Sequence, residues 1–142
     1  MLFFKKVVKI ILPQFILNFI KRKYEDYTLS KYKNLSNYEI FKRIYTKKIW
    51  TPEDKKNNFK YYSGLGSHKI EFFKPYIIKV EEFLKSFEKK QNIVELGCGD
   101  FYVSSHLIPF TNNFIACDIF EEIIDLNKKK FSNLKVDFRV LD

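Results

Sequence analysis

At 142 residues, with 46% hydrophobic and 18% aromatic side chains, the chain has the composition of one packed globular body rather than a disordered one. Its formal charge of +9 is uneven: residues 1–90 hold 21 Lys+Arg against 9 acids, and residues 91–142 hold 5 against 8. That asymmetry weakens any step from overall basicity to nucleic acid, and no nucleic-acid partner is expected.

Residues 2–20 are strongly apolar and run straight into Lys21-Arg22-Lys23. Lys5, Lys6, Lys9 and Pro13 interrupt the stretch, and Ile10–Ile20 is well short of the ~20 apolar residues that a bilayer needs. No small-residue cleavage site follows, so a signal peptide is not expected. Two alternatives stay open for residues 2–23: a helix packed on its own domain, or a basic interfacial helix making peripheral membrane contact. Lys31-Tyr32-Lys33-Asn34 reads as a connector. Ser36 and Glu39 then form a capping box ahead of Phe41, Ile44, Tyr45 and Ile49, which predicts a helix from Asn37 to about Lys48. Thr51-Pro52-Glu53-Asp54 repeats the start signal, but the polar residues after it allow only a single turn.

Tyr61-Tyr62-Ser63-Gly64-Leu65-Gly66-Ser67-His68 is a glycine-containing loop whose amides are able to face a ligand; the competing reading is a flexible linker. His68 is a weak candidate general base, because an imidazole titrates near neutrality. From Pro75 to Lys90 the spacing of Tyr76, Ile77, Val80, Phe83, Leu84 and Phe87 predicts an amphipathic helix covering one face of a sheet.

Asn92-Ile93-Val94-Glu95-Leu96-Gly97-Cys98-Gly99-Asp100 is the most informative stretch. A short β-branched run ending in an acid and two glycines reads as a buried parallel strand whose carboxyl end meets a small ligand through its backbone. A helix from Phe101 to about Ile108 is expected next, ended by Pro109, with its first amides toward that ligand. Then come a strand at Phe114–Asp118, a helix at Glu121–Lys130 and a strand at Val136–Leu141 reaching Asp142. The alternation indicates parallel crossovers. The fold class is therefore α/β: an incomplete Rossmann-like parallel sheet of three strands with crossover helices, preceded by a helical amino-terminal region. The expected organisation is a basic helical region over 1–60, a glycine loop and amphipathic helix over 61–90, and the first half of a cofactor domain over 91–142.

Cys98 and Cys117 fall at two strand ends without the pairing pattern of a secreted scaffold, so small buried hydrophobes in a reducing cytoplasm are expected. His68 and His106 lack zinc-site spacing, and no metal is implied.

Glu95-x-Gly97-x-Gly99, with Asp118 and Asp142 at the next two strand ends, resembles the first half of a class I S-adenosylmethionine-dependent methyltransferase. A dinucleotide fold fits less well, since its third glycine would fall at Tyr102. The methyltransferase pattern often has its own third glycine where this chain has Phe101. Gly-Cys-Gly-Asp-Phe is similar to a variant in bacterial members, some associated with surface polysaccharide. The resemblance implies S-adenosylmethionine as cofactor, with Glu95 orienting its amino-acid end, Gly97 and Gly99 admitting it, Asp118 taking the ribose hydroxyls and Asp142 the adenine amine. Ile119 and Phe120 would flank the adenine or join the core. The Ser63–Ser67 segment, Ser-Gly-x-Gly-Ser, would close over the amino-acid end, and Tyr61 and Tyr62 would line an acceptor pocket. A sugar or another small polar acceptor is implied, as is a chain that is truncated after the third strand and inactive alone. The opposing expectation is a non-catalytic basic module docking on a membrane or an acidic partner, which extends the cytoplasmic location to the inner membrane face.

Overall fold

The computed structural model describes residues 14–30, 32–56 and 58–141; residues 2–13 of the apolar stretch, and Asp142, lie outside the described residues. The chain divides into two compact units, Met1–Ser36 and Asn37–Asp142.

The first unit contains α1, Gln14–Ser30. Gln14 Nε2 donates to Asn18 Oδ1 at 3.0 Å, and the Lys23 ammonium stands 5.8 Å from the centre of the Phe19 ring. Among the described residues no helix is long and apolar enough to cross a membrane.

The second unit begins with α2, Asn37–Thr46, so this helix belongs with the sheet rather than with a separate region over 1–60. Its Tyr45 is buried and stacks on Phe120 with ring centres 5.3 Å apart. The helix stops two residues before the expected Lys48, because Lys48 takes a left-handed φ of 52°. The Ile49 amide then donates to Ile44 O and the Lys48 amide to Tyr45 O, the paired closure of a Schellman end. A single 3₁₀ turn, Glu53–Lys55, follows as expected.

Helix α3 spans Ile70–Lys85, a turn and a half earlier than Pro75–Lys90, and contains Pro75. Phe73 anchors this earlier start: it is buried edge-on to Tyr102, with ring centres 5.7 Å apart, and the Phe72 and Phe73 amides both donate to Lys69 O. The buried stripe is Phe73, Ile77, Val80 and Leu84, while Tyr76, Phe83 and Phe87 are exposed. At the other end the Ser86 amide and hydroxyl both bond Phe83 O and close the helix.

The sheet is parallel, in the order β1 (Gln91–Leu96), β2 (Thr111–Asp118), β3 (Asp137–Val140), with α4 (Glu121–Lys130) crossing between β2 and β3. The fold class is thus the expected three-stranded parallel α/β arrangement. Strand β2 starts three residues before the expected Phe114. Register pairs Ile93 with Phe114, Glu95 with Ala116 and Ala116 with Phe138, which puts those side chains on one face.

The expected α-helix at Phe101–Ile108 is instead a 3₁₀ segment, Ser104–Phe110, with Pro109 inside it. Phe101 explains the difference. Its φ of 57° is incompatible with a right-handed helix, and its ring, 1% exposed, packs edge-on to Phe114, Phe131 and Phe138. A left-handed non-glycine residue costs about 1–2 kcal/mol, which full burial of a phenylalanine, about 1.5–3 kcal/mol, offsets. Burial thus holds a phenylalanine in a conformation that glycine ordinarily fills. Phe101→Ala keeps the strain and loses the ring, so chemical unfolding of this variant should show a loss of about 3 kcal/mol or more.

Candidate functional site

Strand β1 delivers Glu95 to the carboxyl edge of the sheet, and the chain then turns through Gly97 (φ 80°) and Gly99 (φ 53°). Two amides of this turn, Gly97 and Cys98, donate to the same carbonyl, Cys117 O, at 2.9 and 2.8 Å. The third, Gly99 N, donates to Asp118 Oδ2 at 2.9 Å, while Asp118 Oδ1 accepts from the Phe120 amide at 3.0 Å. Asp118 is therefore a buried brace for the turn; it also lines the cavity described next, and each of its oxygens retains spare acceptor capacity.

The two glycines are required for different reasons. A Cβ on Gly97 would meet open space, so its left-handed backbone alone demands glycine. A Cβ on Gly99 would stand 2.2 Å from Ser63 Oγ and 3.3 Å from the Tyr45 hydroxyl. The Ser63–His68 loop is thus pressed against the glycine turn and is not a free linker. Asp100 fastens it: Oδ2 accepts from the Ser63 amide at 3.0 Å and pairs with His68 Nε2 at 2.6 Å, while the Asp100 amide donates to Ser63 Oγ at 2.7 Å.

Around this junction lies a cavity of about 590 Å³, lined by Glu95, Gly97, Gly99, Asp100, Ser104, Asp118 and Ile119, with Phe41, Tyr45, Trp50, Ser63, Ser67 and Tyr76 opposite. It sits where ligands of open parallel sheets bind, outside the carboxyl ends of the strands. Glu95 Oε1 accepts from the Ser104 hydroxyl, whereas Oε2 is buried and has no partner. Burial pushes the Glu95 carboxyl up from its ordinary pKa, the Ser104 hydrogen bond opposes this, and the charge of Asp118 adds to it. Burial, and then Asp118, likewise raise the Tyr45 phenol. Glu95, in the wall of the cavity, therefore carries a buried acceptor that no group of the chain satisfies.

Four of the five expected binding residues, Glu95, Gly97, Gly99 and Asp118, come together here; Asp142 lies outside the described residues. Ile119 lines the cavity, but Phe120 is fully buried core. His68 sits behind Asp100, stacked between Tyr62 and Tyr102, and Tyr61 packs on Phe120. Neither Tyr61, Tyr62 nor His68 lines this cavity. Cys98 and Cys117 are free and buried.

Sequence reasoning missed Asn127 and Ser104, and the bracing roles of Ser63 and Asp100. Asn127 is fully buried and donates to Gly99 O at 2.7 Å. Its signal was present: it shares the buried face of α4 with Ile123 and Ile124, where a polar side chain needs a partner.

No family model and no curated protein matches the chain. Solved structures do. The chain is similar to the CMeT domain of the citrinin polyketide synthase, at 18% identity and a TM-score of 0.41, over 47% of this chain and 21% of that one. It is similar to the YcgJ protein from Bacillus subtilis, at 14% and 0.36, over 47% and 30%. It is also similar to an S-adenosylmethionine-dependent methyltransferase from Clostridium acetobutylicum, at 20% and 0.44, over 75% and 37%. The chain spans well under half the length of each of the three.

Two stability measurements check the site's construction. Gly99→Ala should destabilise the chain by about 2 kcal/mol or more and Gly97→Ala by about 1, with Ser63→Gly relieving part of the first loss only. Glu95→Gln should raise the melting temperature of the free protein near neutrality. A carboxyl with a raised folded pKa binds its proton more tightly folded than unfolded, so its contribution to stability is lost as pH rises through that range. The gain from Glu95→Gln should accordingly vanish below the ordinary glutamate pKa.

Proposed function

We propose that residues 37–142 form the S-adenosylmethionine-binding part of a methyltransferase whose acceptor is a sugar or another small polar molecule. The observation supporting this most directly is Glu95 Oε2, a buried acceptor without a partner beside a left-handed glycine turn. A cofactor ammonium supplies the donor that this oxygen lacks, and a volume of about 590 Å³ suits a ligand of that size. Glu95 would hold the amino-acid end, and the turn at Gly97 and Gly99 would let the ligand approach the backbone. The remaining lone pairs of Asp118 would accept from a ribose diol, and Ile119 would pack on the base. Asp142 is proposed for the adenine amine by resemblance alone.

The cofactor brings the sulfonium electrophile, so the chain's task is to hold donor and acceptor in line and keep water out. Asp100 fixes the Ser63–Ser67 segment as one wall, while Tyr45, Phe41 and Trp50 form an apolar one. His68 has no proton-transfer role in this reading, because it does not line the cavity. Calorimetry of S-adenosylmethionine on the chain, with Gly97→Val and Asp118→Ala, tests the reading. Each variant should weaken binding at least about tenfold, roughly 1.4 kcal/mol, and unchanged affinity in both would refute it.

A second reading, a non-catalytic basic module at the inner face of a membrane, is favoured by α1. Phe15, Phe19 and Ile20 are 72%, 62% and 52% exposed directly before Lys21-Arg22-Lys23. Co-sedimentation with vesicles should then depend on anionic lipid, weaken in raised salt and fall several-fold with Phe19→Ser. Equal sedimentation with neutral vesicles would count against it.

A further inference from the structure

The Tyr45 hydroxyl is a buried titratable group to which the cofactor reading gives no task. Tyr45 is 4% exposed and lines the cavity, with its ring stacked on Phe120 and edge-on to Tyr61 and Trp50. Its hydroxyl stands at the glycine turn, 3.3 Å from where a Cβ on Gly99 would be, and the Ser63 side chain hydrogen-bonds it. Burial first, and then the charge of Asp118, push the phenol up from its ordinary pKa, and the Ser63 bond opposes them. Near neutrality the phenol therefore keeps its proton and is a donor.

This pair of hydroxyls has a donor to spare. Together they carry two hydrogens, and a bond between them uses one. The Asp100 amide donates to Ser63 Oγ at 2.7 Å and so offers the second hydrogen no acceptor. Ser63 and Tyr45 both line the cavity, and among the described residues no other acceptor takes that hydrogen.

The ordinary anion-binding groups are not free at this turn. The Gly97, Cys98, Gly99 and Asp100 amides are all bonded within the chain. The segment that follows is a short 3₁₀ stretch, so no α-helix directs its first amides at a ligand here. No Lys, Arg or His is among the described residues lining the cavity, and the Ser104 hydroxyl is given to Glu95. We propose that the Tyr45 and Ser63 hydroxyls form the seat of a carboxylate, so that an α-amino acid group is held by its ammonium on Glu95 and by its carboxylate on this pair. The proposal rests on the cofactor reading and adds to it the recognition of the one anionic group of S-adenosylmethionine. A hydrogen bond to an ionised acceptor is roughly twice as strong as one between neutral groups, which suits a wall with no cation to offer.

The test is calorimetric titration of the 142-residue chain and of Tyr45→Phe with S-adenosylmethionine and with its decarboxylated analogue, which keeps both sulfonium and ammonium. The acids of the cavity favour the more cationic analogue, so a preference for the intact cofactor reports the seat. The wild-type chain should bind the intact cofactor at least about tenfold more tightly than the analogue, a comparison that needs no variant to fold. Tyr45→Phe retains the ring on Phe120; it should weaken the cofactor at least about tenfold and leave the analogue within about twofold. Equal binding of the two compounds by the wild-type chain, or a Tyr45→Phe change that weakens both equally or neither, would overturn the proposal and leave the cofactor reading standing. Binding of neither compound by the wild-type chain would overturn both.

Discussion

The contact between Gly99 and Ser63 is the constraint on which the rest of the second unit depends. No side chain fits at Gly99, because Ser63 Oγ and the Tyr45 hydroxyl occupy that space. This close approach brings three distant parts of the chain to one point: α2 through Tyr45, the 63–68 loop through Ser63, and the end of β1 through the turn itself. Each brings groups that the others satisfy. The Asp100 amide finds Ser63 Oγ, the Ser63 amide finds Asp100, and the Gly99 carbonyl finds Asn127. Buried backbone groups left unpaired would cost about 1–3 kcal/mol each, so the reciprocal bonds hold the loop closed more firmly than any one of them would.

Two carboxylates in this unit serve the architecture before they serve a ligand. Asp118 accepts two amides and Asp100 accepts two more together with an imidazole nitrogen. Glu95 differs. One of its oxygens rests on Ser104 and the other faces nothing, and its raised pKa records the cost of keeping it charged there. A protein carries such a cost where a ligand relieves it, and binding to the folded state alone then returns the lost stability by mass action. Of the buried unpartnered carboxylate oxygens, that of Glu95 belongs to a residue lining the cavity, and on the proposed reading it is the one that would select a cationic group.

Much of this was legible in the residues. The alternation of short apolar runs with helical patterns reported the parallel sheet, and α4 was delimited correctly because its acids and lysines mark both ends. The glycine turn was legible because few residue types suit a strand end that must bend sharply. What the sequence did not show was long-range. Nothing local says that Ser63 reaches Asp100, 37 positions away, or that Phe73 draws the start of α3 ahead of Pro75. Proline ordinarily marks a first turn, and here tertiary burial of Phe73 overrode that preference. Phe101 misled for the same reason: a left-handed phenylalanine is unfavourable by local rules and persists because three other aromatic rings surround it.

The position of β1 explains why so many bonds converge on its carboxyl end. Among the described residues β1 pairs only with β2, and Val94 and Leu96 are 60% and 72% exposed on its open face. A site on an edge strand lacks the clamping that neighbours on both sides give a central one. The turn after β1 is therefore fixed from one side and from beyond its end: by Cys117 O and Asp118 of β2, by Asn127 of α4, and by the 63–68 loop across Asp100. Preorganising a ligand site to within about half an ångström requires such locking of its supporting groups. The latch at Asp100 ties the turn to the 63–68 loop across the top of the sheet and so adds to the hold that β2 and α4 have on it.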